Sequence, residues 1–115
     1  RYYWVVSGDE RVGFCSIQMD HSKAMARLGK LYLRPEHQGR GFAGQVLTVL
    51  KNQCKSEGCT RLWLYVFRKN GRAISAYRKA GFEVVDLEIT NAGGGFFYDD
   101  AVMSLDLTAE PLGAS

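Results

Sequence analysis

At 115 residues, 46% hydrophobic and 23% charged, the chain has the make-up of a single globular domain of soluble type, with enough length to bury roughly two-thirds of its unfolded surface. No apolar run approaches membrane-spanning length and no secretory leader is visible, so a cytoplasmic protein with no membrane partner is expected. A net charge of +3 tolerates an anionic ligand but is too mild to argue for nucleic acid.

Tyr2 to Val6 and Val12 to Met19 read as two strands joined by a glycine-containing hairpin loop. Polar residues 20 to 23 turn the chain into a third strand, Met25 to Leu33, which Pro35 ends. A helix over 43–56 follows, with Ala43, Val46, Leu47, Leu50 and Cys54 on one stripe and Gly58 as its terminating glycine. Arg61 to Phe67 is a nearly continuous apolar strand, the pattern of one covered on both faces. Strand, helix and strand in this order predict a parallel pair. A second helix, about Gly71 to Ala80, has Asn70 as N-cap, Ala73, Ile74 and Tyr77 on one stripe, and Gly81 at its end. Phe82 to Thr90 and Phe97 to Leu107 are strands around a loose Asn91–Gly95 loop, and residues 108–115 form a tail. Residues 1–107 thus make one α+β domain: a mixed, mostly antiparallel sheet with a central parallel strand pair and two packed helices.

The segment from 31 to 44, Leu-Tyr-Leu-Arg-Pro-Glu-His-Gln-Gly-Arg-Gly-Phe-Ala-Gly, carries the chemistry. No Ser, Thr, Asp or Asn caps the first helix; Gly39, Gly41 and Gly44 stand there instead. Its first backbone N–H groups therefore lack a side-chain acceptor, and with the positive end of the helix dipole they suit a phosphorylated ligand. The odd count of three cysteines (Cys15, Cys54, Cys59) has no paired metal-ligand spacing, so reduced thiols and no metal are expected, with Cys15 and Cys54 in the core.

Gln38-Gly39-Arg40-Gly41-Phe42-Ala43 fits the Gln/Arg-x-x-Gly-x-Gly/Ala signature of the GNAT superfamily of N-acetyltransferases, and Asn70-Gly71-Arg72-Ala73-Ile74-Ser75-Ala76-Tyr77 through Gly81-Phe82 resembles that family's Asn…Ala…Tyr…Gly-Phe helix. A glycine pattern alone is a weak signal; two segments in the right order and context are a strong one. The resemblance covers nearly the whole chain and implies acetyl-CoA as co-substrate. The backbone of Leu31, Tyr32 and Leu33 would then pair with the pantetheine arm. Gln38, Gly39, Arg40, Gly41, Phe42, Ala43 and Gly44 would hold the pyrophosphate, and Asn70 would contact the cofactor as well as cap its helix. Arg40, Lys69 and Arg72 are candidate phosphate partners.

The reaction so implied is direct attack by a primary amine of a small molecule, peptide or protein on the thioester. A neutral amine needs a proton acceptor, the carbonyl oxygen a donor (a backbone N–H near Leu33), and the thiolate a proton. Tyr77 matches the family's acid by position and, with an ordinary pKa of about 10, is protonated at neutral pH. The base stays open among Asp20, His21, Glu88, Asp99, Asp100 and water, because Tyr65 stands where some relatives carry glutamate. A CoA-binding module or fragment without strong catalysis is the alternative, and a nucleotide-binding domain is disfavoured by the absence of Gly-Lys-Ser/Thr after the glycines. Members of the family usually begin with a strand and two helices that wall the acceptor pocket, and the resemblance implies that this chain starts after them. The expectation is an exposed apolar edge at residues 2–6 and a homodimer or a piece of a longer protein.

Simpler roles stand beside these. Tyr77 alone on a stripe is a core aromatic, Asn70 needs only to cap, His21 and His37 beside turns are solvent-facing, and Asp99-Asp100 solvate a strand start. Gly93 to Gly95 supply flexibility, and Trp4 and Trp63 belong to the core by default.

Overall fold

The computed structural model describes residues 1–39 and 41–108; Arg40 and the tail beyond 108 lie outside the described residues. Nine elements follow one another: β1 (Tyr2–Ser7), β2 (Glu10–Asp20), β3 (Met25–Leu33), a 3-10 turn (Pro35–His37), α1 (Phe42–Ser56), β4 (Arg61–Phe67), α2 (Gly71–Lys79), β5 (Glu83–Gly93) and β6 (Phe96–Asp106). The strands form one sheet in the order β1-β2-β3-β4-β6-β5. Among the described residues only β3 and β4 are parallel, as the strand–helix–strand pattern predicts. All other neighbours run antiparallel.

The β3–β4 pairing is short. It covers Met25↔Arg61 through Leu28↔Leu64 and stops there. At the same point β3 carries a bulge: its register against β2 passes from Ile17↔Leu28 to Ser16↔Lys30, leaving Gly29 over. An extra residue bends its strand and increases the local twist. Beyond Gly29, β3 continues along β2 to Leu33, while Tyr65 to Phe67 of β4 pair only with β6. The two central strands therefore part, and a gap opens between their C-terminal halves. Gly13 holds β3 against β2 in this region. A Cβ there would collide with the Tyr32 carbonyl oxygen and press on Leu33 Cα.

Both helices cover the same face of the sheet. Leu47, Leu50 and Cys54 of α1 pack on Cys15, Ile17, Ala26, Leu28, Leu62, Leu64, Val66, Ala101 and Met103, with Ala73, Ile74, Tyr77 and Ala80 of α2 against the same cluster. The opposite face is open among the described residues, which corrects two expectations. β4 is buried only on its Leu62–Leu64–Val66 side, while Tyr65 and Phe67 are exposed. Trp4 is 60% exposed on edge strand β1, and Trp63 is half-buried rather than in the core. Rings tile this face instead: Phe14 lies 5.4 Å from Tyr32 and 6.4 Å from Trp4.

Capping follows the sequence closely. The Asn70 side chain accepts from Ala73 N–H at 3.1 Å, and Gly58 and Gly81 take the left-handed conformation after their helices. The last hairpin differs. Asn91 accepts from Gly93 N–H at 2.8 Å, and β5 runs on to Gly93, so only Gly94 and Gly95 turn the chain. The anticipated tail, apart from Thr108, lies outside the described residues.

Candidate functional site

The alternation of an antiparallel ladder decides which amides of β3 face the gap. Arg34 N–H donates to the Val12 carbonyl at 2.8 Å, so Arg34, and by alternation Tyr32, turn their backbone groups toward β2. Leu31 and Leu33 between them turn theirs toward the gap, where β4 no longer pairs. Tyr32, grouped with them on sequence, thus has its amide engaged on the other side. Gln38 adds a tie: its Nε2 donates to the Leu33 carbonyl at 2.9 Å, anchoring the glycine turn to the end of β3.

That turn leads into α1 through Gly39 (φ 78°) and Gly41 (φ 82°), both left-handed, a backbone shape that a side chain disfavours. Gly41 is the N-cap and supplies no side-chain hydrogen bond; the first turn holds no acidic residue. The first intrahelical bond of the turn is Gln45 N–H to the Gly41 carbonyl at 3.2 Å, which leaves the N–H groups of Phe42, Ala43 and Gly44 to be met from outside the helix. At Gly39, Gly41 and Gly44 a Cβ would find open space, so the ground in front of these amides is clear. His37 sits beside them, but not facing solvent as expected. Its side chain is only 12% exposed, stacked edge-on to Phe42 at 5.8 Å and held to Glu10 Oε1 at 3.1 Å.

Between α1, α2 and the end of β3 runs a groove of about 190 Å³ lined by Leu31, Leu33, Gln38, Ala43, Ala73 and Tyr77, among others. The turn, the gap-facing leucines and Tyr77 therefore share one space. Tyr77 is half-buried with its ring 5.7 Å from Phe82, and burial pushes its phenol above the ordinary value. Asn70 caps the other, N-terminal end of α2, seven residues before Tyr77.

Of the proton-acceptor candidates, Asp20 and His21 line a separate depression of about 460 Å³ with Met25 and Trp63. Met25 opens β3 at its paired end, so this depression lies away from the gap. Asp99 is tied to Arg68 at 3.0 Å. Glu88 and Asp100 face each other across β5 and β6, both half-buried. Two features of this site are not placed by the sequence pattern. One is the bulge at Gly29, where only a glycine within a strand hints at it; the other is the Glu88–Asp100 pair, which depends on the β4–β6–β5 order.

Residues 1–82 match the acetyltransferase (GNAT) family. The chain belongs to this family. Among curated relatives, the spermidine N(1)-acetyltransferase of Thermoplasma acidophilum is 32% identical over 77 residues, 67% of this chain and 47% of that protein. The ribosomal-protein-S18-alanine N-acetyltransferase of Escherichia coli superposes with a TM-score of 0.79 at 20% identity, over 100% of this chain and 74% of that one. At that identity the likeness is one of fold. The PaiA N-acetyltransferase of T. acidophilum, solved in complex with coenzyme A, gives a TM-score of 0.75 at 26% identity, over 91% of this chain and 59% of that one. Against the first curated relatives, this GNAT chain spans between 20% and 59% of their length.

Proposed function

We propose that this GNAT chain transfers the acetyl group of acetyl-CoA to a primary amine of a small molecule, peptide or protein. The observation that carries the reading is the parting of β3 from β4 after Leu28 and Leu64, beside a helix N-terminus without a side-chain cap. An amide-bearing arm laid into this gap pairs with Leu31 and Leu33 as an added strand would, and a diphosphate at its end meets the amides of Gly41 to Gly44. The site fits such a ligand on three counts: gap-facing backbone, an uncapped helix start with clear space before it, and an apolar groove joining the two. Coenzyme A bound to a relative of the same fold supports it. Gln38, Gly39, Phe42 and Ala43 frame the phosphate end, with Arg40 contributed by the sequence pattern, and Asn70 closes the α2 side.

Acetyl-CoA supplies an activated acyl group; the protein supplies the rest. The Leu33 N–H, directed into the gap, stabilises charge on the carbonyl oxygen. Tyr77, protonated and within the same groove, gives its proton to the departing sulfur. Three buried free thiols, Cys15, Cys54 and Cys59, accord with a reducing cytoplasmic setting.

Calorimetric titration tests the reading. Acetyl-CoA binds the unsubstituted protein, and thiol release follows with amines such as spermidine or an alanine-terminated peptide. A protein that binds no acetyl-CoA contradicts it.

A further inference from the structure

The gap has two sides. Tyr77 reaches it from the helix-covered face, where Leu31 and Leu33 also point. The amine has to approach the carbonyl carbon from elsewhere, and among the described residues the open face of the sheet is the side left clear.

At the gap, β4 presents Tyr65 to that face. Tyr65 is the first residue of β4 beyond its last pair with β3, and it alternates with the buried Leu64 and Val66. Its phenol is raised by partial burial first, then by the nearby Glu88 carboxylate; Arg27 opposes and Asp100 adds to the rise. Glu88 lies on β5, opposite Asp100 of β6, on the same face as Tyr65. Along β5 it is half-buried where its neighbours Leu87 and Ile89 are 53% and 70% exposed, an inversion of the apolar-in pattern. From β3, the Arg27 guanidinium lies 5.6 Å from the Tyr65 ring. Of the other carboxylates raised as candidates, Asp20 is at the far end of the sheet, Asp99 is paired with Arg68, and Asp100 is the residue opposite Glu88.

We propose that Tyr65 and Glu88 together take the proton of the incoming amine, acting from the face of the sheet opposite Tyr77. The assignment rests on the transferase reading above and supplies the base that the sequence leaves open. The ammonium meets the Tyr65 oxygen, which accepts one proton while its own passes to the Glu88 carboxylate. The freed nitrogen lone pair forms the bond to the carbonyl carbon, and the C=O pair moves onto oxygen. When that pair returns, the carbon–sulfur bond breaks with its electrons on sulfur, which takes the Tyr77 proton. The second nitrogen proton then restores the Tyr77 phenol, and Glu88 releases its proton to solvent. The net products are the amide, free thiol and one proton.

The test is a pH profile of kcat/KM from pH 6 to 10 for the unsubstituted chain, Glu88→Gln, Glu88→Asp and Tyr65→Phe, with spermidine and an alanine-terminated peptide as acceptors and acetyl-CoA affinity measured by calorimetry on each. Glu88→Gln and Tyr65→Phe are expected to lose roughly 100-fold at pH 7, to bind acetyl-CoA as before, and to recover rate only as pH nears the amine's own pKa. Glu88→Asp retains part of the rate and the original profile shape. Profiles that superpose on the unsubstituted one, with acetyl-CoA still bound, overturn the assignment of Tyr65 and Glu88 and leave the transferase reading standing. An unsubstituted chain that binds no acetyl-CoA, or turns over neither acceptor, overturns both.

Discussion

Burial raises the Tyr77 phenol above its ordinary value of 10. A donor raised in this way stays protonated through neutral pH, and ionises only above pH 10. The matching stability contribution is present below that pH and fades as pH rises through the folded value. Tyr77→Phe is therefore expected to cut turnover by about 100-fold at pH 7, with acetyl-CoA affinity unchanged. Single-turnover kinetics beside calorimetry separate the two, and undiminished turnover removes Tyr77 from the role of acid. Cys54 is raised by the same cause: burial first, then the charges of Cys59 and Glu57, bring it to about 11. It is therefore expected to resist a disulfide reagent at pH 8 in the folded protein and to react on unfolding. Labelling of Cys54 at the rate of an exposed thiol contradicts its place under α1.

At the level of elements, the bend at Gly29 and the close approach at Gly13 make the gap. Gly13→Ala places a methyl group against the Tyr32 carbonyl, and is expected to cost about 1–3 kcal/mol in urea unfolding. Unchanged stability means that β2 and β3 lie further apart than described. At the glycine turn, Gly41→Ala and Gly41→Glu share the strain of a left-handed backbone, but only glutamate brings negative charge to the start of α1. Acetyl-CoA binding is expected to survive the first and fail in the second. Equal affinity in both places the diphosphate elsewhere. These elements were legible to different degrees. The missing cap at Gly41 and the Asn70 cap are local, three-residue facts that a sequence displays directly. The bulge is a mismatch between two strands and shows only once Ser16 is seen opposite Lys30.

Over the whole molecule, one face carries both helices and the other carries rings and charges. The order β1-β2-β3-β4-β6-β5 sets Glu88 two strands from Tyr65 on the same face, 23 positions later in the chain, and no periodicity announces such a placement. The same order explains why Trp4 and the outer side of β4 differ from expectation. An apolar run reads alike whether a layer covers one face or two, and here the described residues supply one.

The central claim is that acetyl-CoA lies in the parting of β3 and β4 with its diphosphate on the first turn of α1. Backbone amide NMR during titration with acetyl-CoA tests it residue by residue. The Leu31 and Leu33 amides and those of Gly41 to Gly44 are expected to shift and gain protection from exchange, while Tyr32, already bonded to β2, changes little. Saturable binding that leaves Leu31, Leu33 and the 41–44 amides undisturbed contradicts the account.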